Sequence, residues 1–311
     1  MAENLKFVII GIGPTGGILA AHLATAGYEV VLVDINENHM NAIKNNGLKI
    51  RYLKEFNITF PKENILNSIN DLQNKEIDVL FIAVKAPHLR NILSQVKKVV
   101  KSKTTLISMQ NGFDTEQIIA EYIGEENSLR MIVNFGGYII DNGVIRMSFF
   151  NPPNYLGLLT IKAEEKAKKI AEIITSSGME TIFTHDIKEE VWKKSILNTI
   201  APLCVLTHTT MKEIMDFSET RKISRKLLYE GLKVAEAYGI NLEPDFIDKG
   251  IDYLEHLGHH RVSMAQDIYN GNPSEIDFLN GKIVEYGNIK GIETPYNKLL
   301  VSLIKVCEFA P

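Results

Sequence analysis

Gly11-Ile12-Gly13-Pro14-Thr15-Gly16 follows directly on the apolar run Leu5–Ile10 and leads into a segment with helical spacing. In that setting each glycine has a task. The first permits a tight turn, the second lets backbone approach a pyrophosphate, and the third lets the helix pack on the strand. The helix N-terminus then offers unpaired N–H groups and partial positive charge to phosphate oxygens. Asp34 stands 18 residues past Gly16, at the end of the next apolar run, Glu29–Asp34. A carboxylate there accepts both ribose hydroxyls of an adenosine and repels a 2′-phosphate. Residues 35–38, Ile-Asn-Glu-Asn, bring no Lys or Arg to bind such a phosphate. The turn and the acid together read as a dinucleotide site, with NADH favoured and NADPH the open alternative. Taken alone, Asp34 also reads as a surface residue capping the next helix.

Other chemistries find less support. Two cysteines, Cys204 and Cys307, lie far apart, which argues against a disulfide framework or a zinc site and fits a reducing compartment. His259 and His260 adjoin Ser263, but no third ligand stands near them, so no metal is expected. No G-x-S-x-G elbow supports a Ser-His-Asp hydrolase. A net charge of -4 gives no electrostatic reason to expect nucleic acid or an anionic membrane. No stretch reaches the roughly 18–20 apolar residues of a membrane span. Nothing at the N-terminus reads as a signal peptide, so the cytoplasm is the expected location.

The elements that must position these residues alternate over the first part of the chain. Leu5–Ile10, Glu29–Asp34, Asp78–Val84, Thr104–Ser108, Met131–Phe135, Val144–Phe149, Tyr155–Ile161 and Glu180–Thr184 read as strands. Pro14–Ala26, Asn36–Asn46, His88–Val100, Thr115–Ile123 and Ala163–Ser176 read as helices. This alternation predicts a mostly parallel, doubly wound α/β sheet of the Rossmann type. After Asp186 only helices are expected: Lys188–Val205, Thr220–Tyr238, Asp245–Leu257, Ser263–Tyr269, Pro273–Tyr286 and Pro295–Cys307. With 311 residues the chain is long enough for two domains, expected at 1–186 and 187–311, the second all-α.

Several blocks carry a resemblance to a known family. They are the glycine loop, Val84-Lys85-Ala86, Gln110-Asn111-Gly112, Trp192-Lys193-Lys194-Ser195-Ile196-Leu197-Asn198, Ser263-Met264-Ala265-Gln266-Asp267 and Ser274-Glu275-Ile276-Asp277-Phe278-Leu279-Asn280-Gly281. Over nearly its whole length the chain resembles the ketopantoate reductases (2-dehydropantoate 2-reductases), with their 6-phosphogluconate dehydrogenase-like C-terminal domain. The resemblance implies hydride transfer from a nicotinamide to C2 of a small 2-oxo acid, in service of pantothenate and coenzyme A synthesis. It implies that Lys194 is the catalytic lysine, whose ammonium polarises the keto oxygen and donates the proton. Asn198, one helical turn on, matches a substrate-binding asparagine. Glu275 matches a glutamate that binds the substrate hydroxyl and supports acid–base chemistry. Asn272-Pro273-Ser274-Glu275 also fits a helix start with Glu275 at N3 of a capping box. Ser263 matches the serine that grips the substrate carboxylate, or else caps a helix. The resemblance also assigns Asp267, one turn later, to organising the same site. Lys85 and Asn111 follow sheet strands, where the resemblance assigns them to cofactor orientation and the nicotinamide ribose.

Two departures stand out. Where the family repeats an asparagine one turn after Asn198, this chain has Ala201-Pro202. Many members carry a basic residue near position 35 and use NADPH; this chain has Asp34 and no such residue. Both departures favour, as the alternative, an NAD-dependent D-2-hydroxyacid dehydrogenase for branched or aromatic 2-oxo acids. A non-catalytic NAD-binding sensor is a third reading. Family members are often dimers, and six helices offer enough apolar surface for a homodimer.

Overall fold

Phe7, Val8, Ile9 and Ile10 are all buried, as an uninterrupted apolar run requires of a strand covered on both faces. The structure, a computed structural model, describes residues 5–258 and 262–309. It forms two units. One comprises residues up to Gln110 together with Asp114–Ile187; the other comprises Asn111–Phe113 and residues from Lys188 onward.

In chain order the strands of the first unit are β1 (Lys6–Ile10), β2 (Glu29–Val33), β3 (Leu48–Tyr52), β4 (Phe56–Ile58), β5 (Ile65–Leu66), β6 (Val79–Ile82), β7 (Thr105–Ser108), β8 (Ser128–Ile132), β9 (Phe135–Asp141), β10 (Val144–Phe150), β11 (Asn154–Leu158) and β12 (Thr181–Thr184). Its helices are α1 (Pro14–Thr25), α2 (Glu37–Asn46), α3 (Leu89–Val99), α4 (Thr115–Ile123) and α5 (Glu164–Ser176). The main sheet runs β12-β11-β8-β7-β6-β1-β2-β5. Its β5-β2-β1-β6-β7-β8 portion has the 3-2-1-4-5-6 order of a dinucleotide-binding sheet. All its neighbours are parallel except β8 and β11. Ile10 is in register with both Val33 and Ile82, and Ile82 with Ser108, so the C-terminal ends of four central strands share one edge.

A second sheet, β4-β3-β10-β9, was not expected. Strand β3 carries Lys49 and Arg51 and β4 spans only three residues, so neither gives a strong apolar signal. They exist because β3 pairs in parallel with β10, Lys49 opposite Val144. The expected strand Met131–Phe135 is split. Asn154 Oδ1 takes the Asn134 N–H at 2.8 Å, which ends β8, and β9 begins at Phe135.

The second unit carries α6 (Ile187–Asn198, begun in the first), α7 (Ala201–Thr207), α8 (Met211–Asp216), α9 (Ser218–Ala237), α10 (Phe246–His256), α11 (Ser263–Tyr269), α12 (Asn280–Lys290) and α13 (Pro295–Phe309). The single helix expected over Lys188–Val205 is two, because Pro202 has no N–H to continue the first. The helix expected over Pro273–Tyr286 begins only at Asn280. Before it, the Ile276 N–H turns to Ser274 Oγ at 3.2 Å, a 3-10 turn covers Ile276–Phe278, and Leu279 leaves the helical region with φ -113° and ψ -99°. The capping box over Asn272–Glu275 therefore does not form. A real one starts α8, where Thr210 and Glu213 cap each other's backbone. Among the described residues no helix is long and apolar enough to cross a membrane.

Candidate active site

The sheet edge where β1, β2 and β6 end carries the candidates of the first unit. Gly11 has φ +93°, and a Cβ there would sit 2.8 Å from the Ala83 carbonyl carbon; at Gly16 it would sit 2.0 Å from the Gly11 oxygen. Both glycines are demanded by the fold. Gly13 differs, since a Cβ there would meet no atom within 4 Å. Its glycine leaves space for a ligand's backbone rather than for the protein's own. Helix α1 begins at Pro14 and Thr15 with no capping side chain, so its first N–H groups face outward for phosphate.

Asp34 follows β2 and is half-buried. Its Oδ2 accepts the Ile12 N–H at 2.7 Å and its Oδ1 the Asn36 N–H at 2.8 Å. Each oxygen keeps a further lone pair for a ribose hydroxyl. The Asp34 carboxylate does not cap α2; Asn36 does, accepting the His39 N–H at 3.1 Å. Ile35 is 89% exposed and brings no charge. An open glycine, an uncapped helix start and a carboxylate fit an adenine dinucleotide.

His39 was not anticipated. It lies buried in α2, and its Nδ1 accepts the Gly143 N–H at 3.1 Å. Burial holds its pKa below the ordinary value, against the pull of the Asp34 charge. A histidine two residues into a helix after the ribose acid was the available signal. Lys85 lies half-buried just past β6, before a 3-10 turn whose His88 N–H bonds the Lys85 carbonyl at 3.0 Å. Past β7, Gln110 is braced from below. Its Nε2 donates to the Ile82 carbonyl at 2.9 Å and its Oε1 accepts from Ser108 Oγ at 2.6 Å. The buried Arg130 guanidinium donates to Ser108 Oγ at 2.8 Å and to Thr115 Oγ1, and pairs with Glu116 at 3.7 Å.

The second unit holds the remaining candidates. Lys194 and Asn198 are half-buried, one turn apart on α6 and so on one face. Lys193 is drawn elsewhere, to Glu189 at 2.6 Å, Glu190 at 3.4 Å and Glu243 at 3.6 Å. Glu275 is 4% exposed and precedes the 3-10 turn, where its Oε2 accepts Asn111 Nδ2 at 3.2 Å. Asn111 is held there by its neighbours. The Phe113 N–H donates to the Phe278 carbonyl at 3.0 Å, and Gly112, with φ +94°, passes so close that a Cβ would lie 2.5 Å from the same oxygen. The Phe113 ring meets Trp192 of α6 edge-on at 4.8 Å and Tyr286 of α12 at 5.7 Å. The structure thus joins Asn111 to Glu275 and keeps both in the unit that carries Lys194. Ser263 is exposed in the first turn of α11, where Val262 rather than Ser263 occupies the N-cap, and Asp267 is buried one turn later. His259 and His260 lie outside the described residues.

Residues 7–160 match the family described as Ketopantoate reductase PanE/ApbA, and residues 186–308 match Ketopantoate reductase PanE/ApbA C terminal. The chain is 30% identical over 302 residues to a 2-dehydropantoate 2-reductase of Pyrococcus abyssi, covering 97% of each. Its fold is similar to that of D-mandelate dehydrogenase in a ternary structure with NADH and anilino(oxo)acetate, at a TM-score of 0.88 and 27% identity over 98% of this chain and 99% of that one. A dimeric ketopantoate reductase from Staphylococcus aureus shares the fold, with a TM-score of 0.78 and 21% identity over 98% of this chain and 99% of that one.

Proposed function

The chain belongs to the ketopantoate reductase family, and on that footing we propose that it reduces 2-dehydropantoate to (R)-pantoate with NADH. Bound NADH would supply the hydride for the keto carbon. The chain's own residues do the rest. The Lys194 ammonium polarises the keto oxygen, stabilises the developing alkoxide and gives it a proton. Asn198 hydrogen-bonds the substrate from the same helix face. Glu275 accepts from the substrate hydroxyl, with Asn111 holding its other approach. Ser263 takes the substrate carboxylate and Asp267 orders that end of α11. Gly11, Ile12, Gly13, Pro14, Thr15 and Gly16 hold the pyrophosphate, Asp34 the adenosine ribose, and Lys85 and Asn111 the nicotinamide end.

The observation that carries this reading is the Asn111–Glu275 hydrogen bond, formed in the unit whose α6 presents Lys194 and Asn198 together. Preference for NADH is supported by the Asp34 carboxylate beside an uncharged, exposed Ile35. A second reading has its own support. Pro202 stands where a further substrate-binding asparagine would be, and D-mandelate dehydrogenase is among the similar structures. That reading is a D-2-hydroxyacid dehydrogenase for branched or aromatic 2-oxo acids. NADH oxidation measured against 2-dehydropantoate, 2-oxoisovalerate and phenylpyruvate separates the two. The highest kcat/KM is expected for 2-dehydropantoate; a clear preference for either of the others installs the second reading. A homodimer is part of the proposal, supported by an exposed apolar stripe on α13, Tyr296, Leu299, Leu303 and Val306.

A further inference from the structure

The break between α6 and α7 creates a backbone deficit that one buried side chain meets. Pro202 offers no N–H to the Asn198 carbonyl four residues earlier. At the next position the Leu203 N–H bonds the Ile200 carbonyl at 2.9 Å, so it is not the donor an unbroken helix would give Thr199. The Thr199 carbonyl is met by Asn280 Nδ2 at 2.9 Å. Asn280 is the first residue of α12 and fully buried. Its Nδ2 also donates to Asn297 Oδ1 at 3.0 Å. Asn297 Nδ2 in turn donates to Glu230 Oε2 at 2.7 Å, and the Glu230 carboxylate accepts the N–H groups of Tyr296 and Asn297, each at 2.9 Å.

These buried groups tie the α6–α7 break to α12, α13 and α9. The Asn280 Oδ1 is buried and has no hydrogen-bond partner among the described residues. An asparagine that leaves its own carbonyl oxygen unmet costs stability. What it supplies is a donor at Thr199, one of the carbonyls that the break leaves without a helix N–H.

We infer that Asn280 is a positioning residue: by replacing the helix hydrogen bond missing at Thr199, it fixes the last turn of α6 and with it the directions of Lys194 and Asn198. The inference rests on the reading of those two residues as substrate-facing groups. Asn280 also stands two residues past the 3-10 turn that Glu275 begins, so both substrate-facing segments are referenced to one buried amide.

The test is Asn280→Ala, measured with Lys194→Ala and in a second background, Pro202→Ala. Restoring an N–H at position 202 lets α6 run on, so the Leu203 N–H can bond the Thr199 carbonyl and the Asn280 donor becomes redundant. For N280A, kcat/KM for the 2-oxo acid is expected to fall about tenfold or more, while the NADH dissociation constant stays within about twofold. In the P202A background the same substitution is expected to cost less than about threefold. Simple loosening of the fold would not depend on residue 202. Should N280A fail to fold, Asn280→Ser, which keeps a shorter donor, gives the same readouts. A folded variant with kcat and KM within about twofold of the parent overturns the inference, as does an equal loss in both backgrounds. If K194A retains turnover, the reading of α6 fails instead; if K194A is inactive and N280A is not, the positioning role alone falls.

Discussion

Lys193 and Lys194 are neighbours in sequence with different surroundings. Three carboxylates engage Lys193 and hold its pKa above the usual lysine range, although burial works against the charge. That lysine is fixed as a cation in an ion-pair cluster, whereas Lys194 shares the face of Asn198 and is the one to which the proposed mechanism gives proton transfer. Lys194→Ala is expected to lower kcat by about 10²–10⁴-fold with NADH affinity nearly kept, in steady-state assays and fluorescence titration; unchanged kcat removes Lys194 from the mechanism. Asp34 is expected to set cofactor choice by charge alone. In Asp34→Ser combined with Ile35→Arg, the ratio of NADPH to NADH kcat/KM should rise at least about tenfold, roughly 1.4 kcal/mol. A ratio that does not move would take Asp34 out of cofactor discrimination. In the sequence the local spacing of glycines, strand and acid points to Asp34, whereas Lys194 is picked out only by the resemblance that the Trp192–Asn198 block carries. It did not reveal His39, whose role comes from Gly143, 104 residues away.

Helices α1 and α2 each bury a histidine, and this makes the stability of their unit depend on pH. The His22 ring lies against Phe56 at 4.8 Å and Phe150 at 6.0 Å, with Nδ1 2.8 Å from the Ser177 carbonyl. Burial lowers the pKa of His22, with the nearby Lys54 charge adding to it, and burial likewise lowers that of His39. Both fall below the ordinary histidine value of 6.5, so below that pH the unfolded chain binds more protons than the folded one. The stabilisation is complete above 6.5 and is lost as pH falls through the folded values. Urea unfolding at about pH 7.5, 6.5 and 5.5 should show falling stability below 6.5, and His22→Gln with His39→Gln should flatten that slope. An unchanged slope in the double variant would assign the pH dependence to other groups. At this scale the strand and helix types of the main sheet were readable from period. The boundaries of α6 and α12 were not, since Pro202 and Ser274 act on backbone partners that a periodicity argument does not track.

For the whole molecule, the stripe on α13 has 3-4-3 spacing, which is self-complementary in the way a helix seam between two copies requires. Leu303→Glu places a charge at its centre and should leave a monomer in sedimentation; a parent that is already monomeric, or a variant that stays dimeric, rejects that surface. The alternation of the long apolar strands with helices, the glycine turn and the run of helices after Asp186 were determined by the sequence itself, because each depends on residue types a few positions apart; the short strands β3, β4 and β5 were not. Tertiary structure alone decided where Asn111 belongs. It follows a strand of the sheet, yet its side chain meets Glu275, 164 residues later. The positive φ of Gly112, the Phe278 carbonyl and the Phe113–Trp192–Tyr286 rings draw residues 111–113 into the helical unit. Likewise, no local pattern announces that Asn280 serves the Thr199 carbonyl. Such pairings depend on which distant backbone groups are left without donors once the chain has packed, and no spacing rule carries that information.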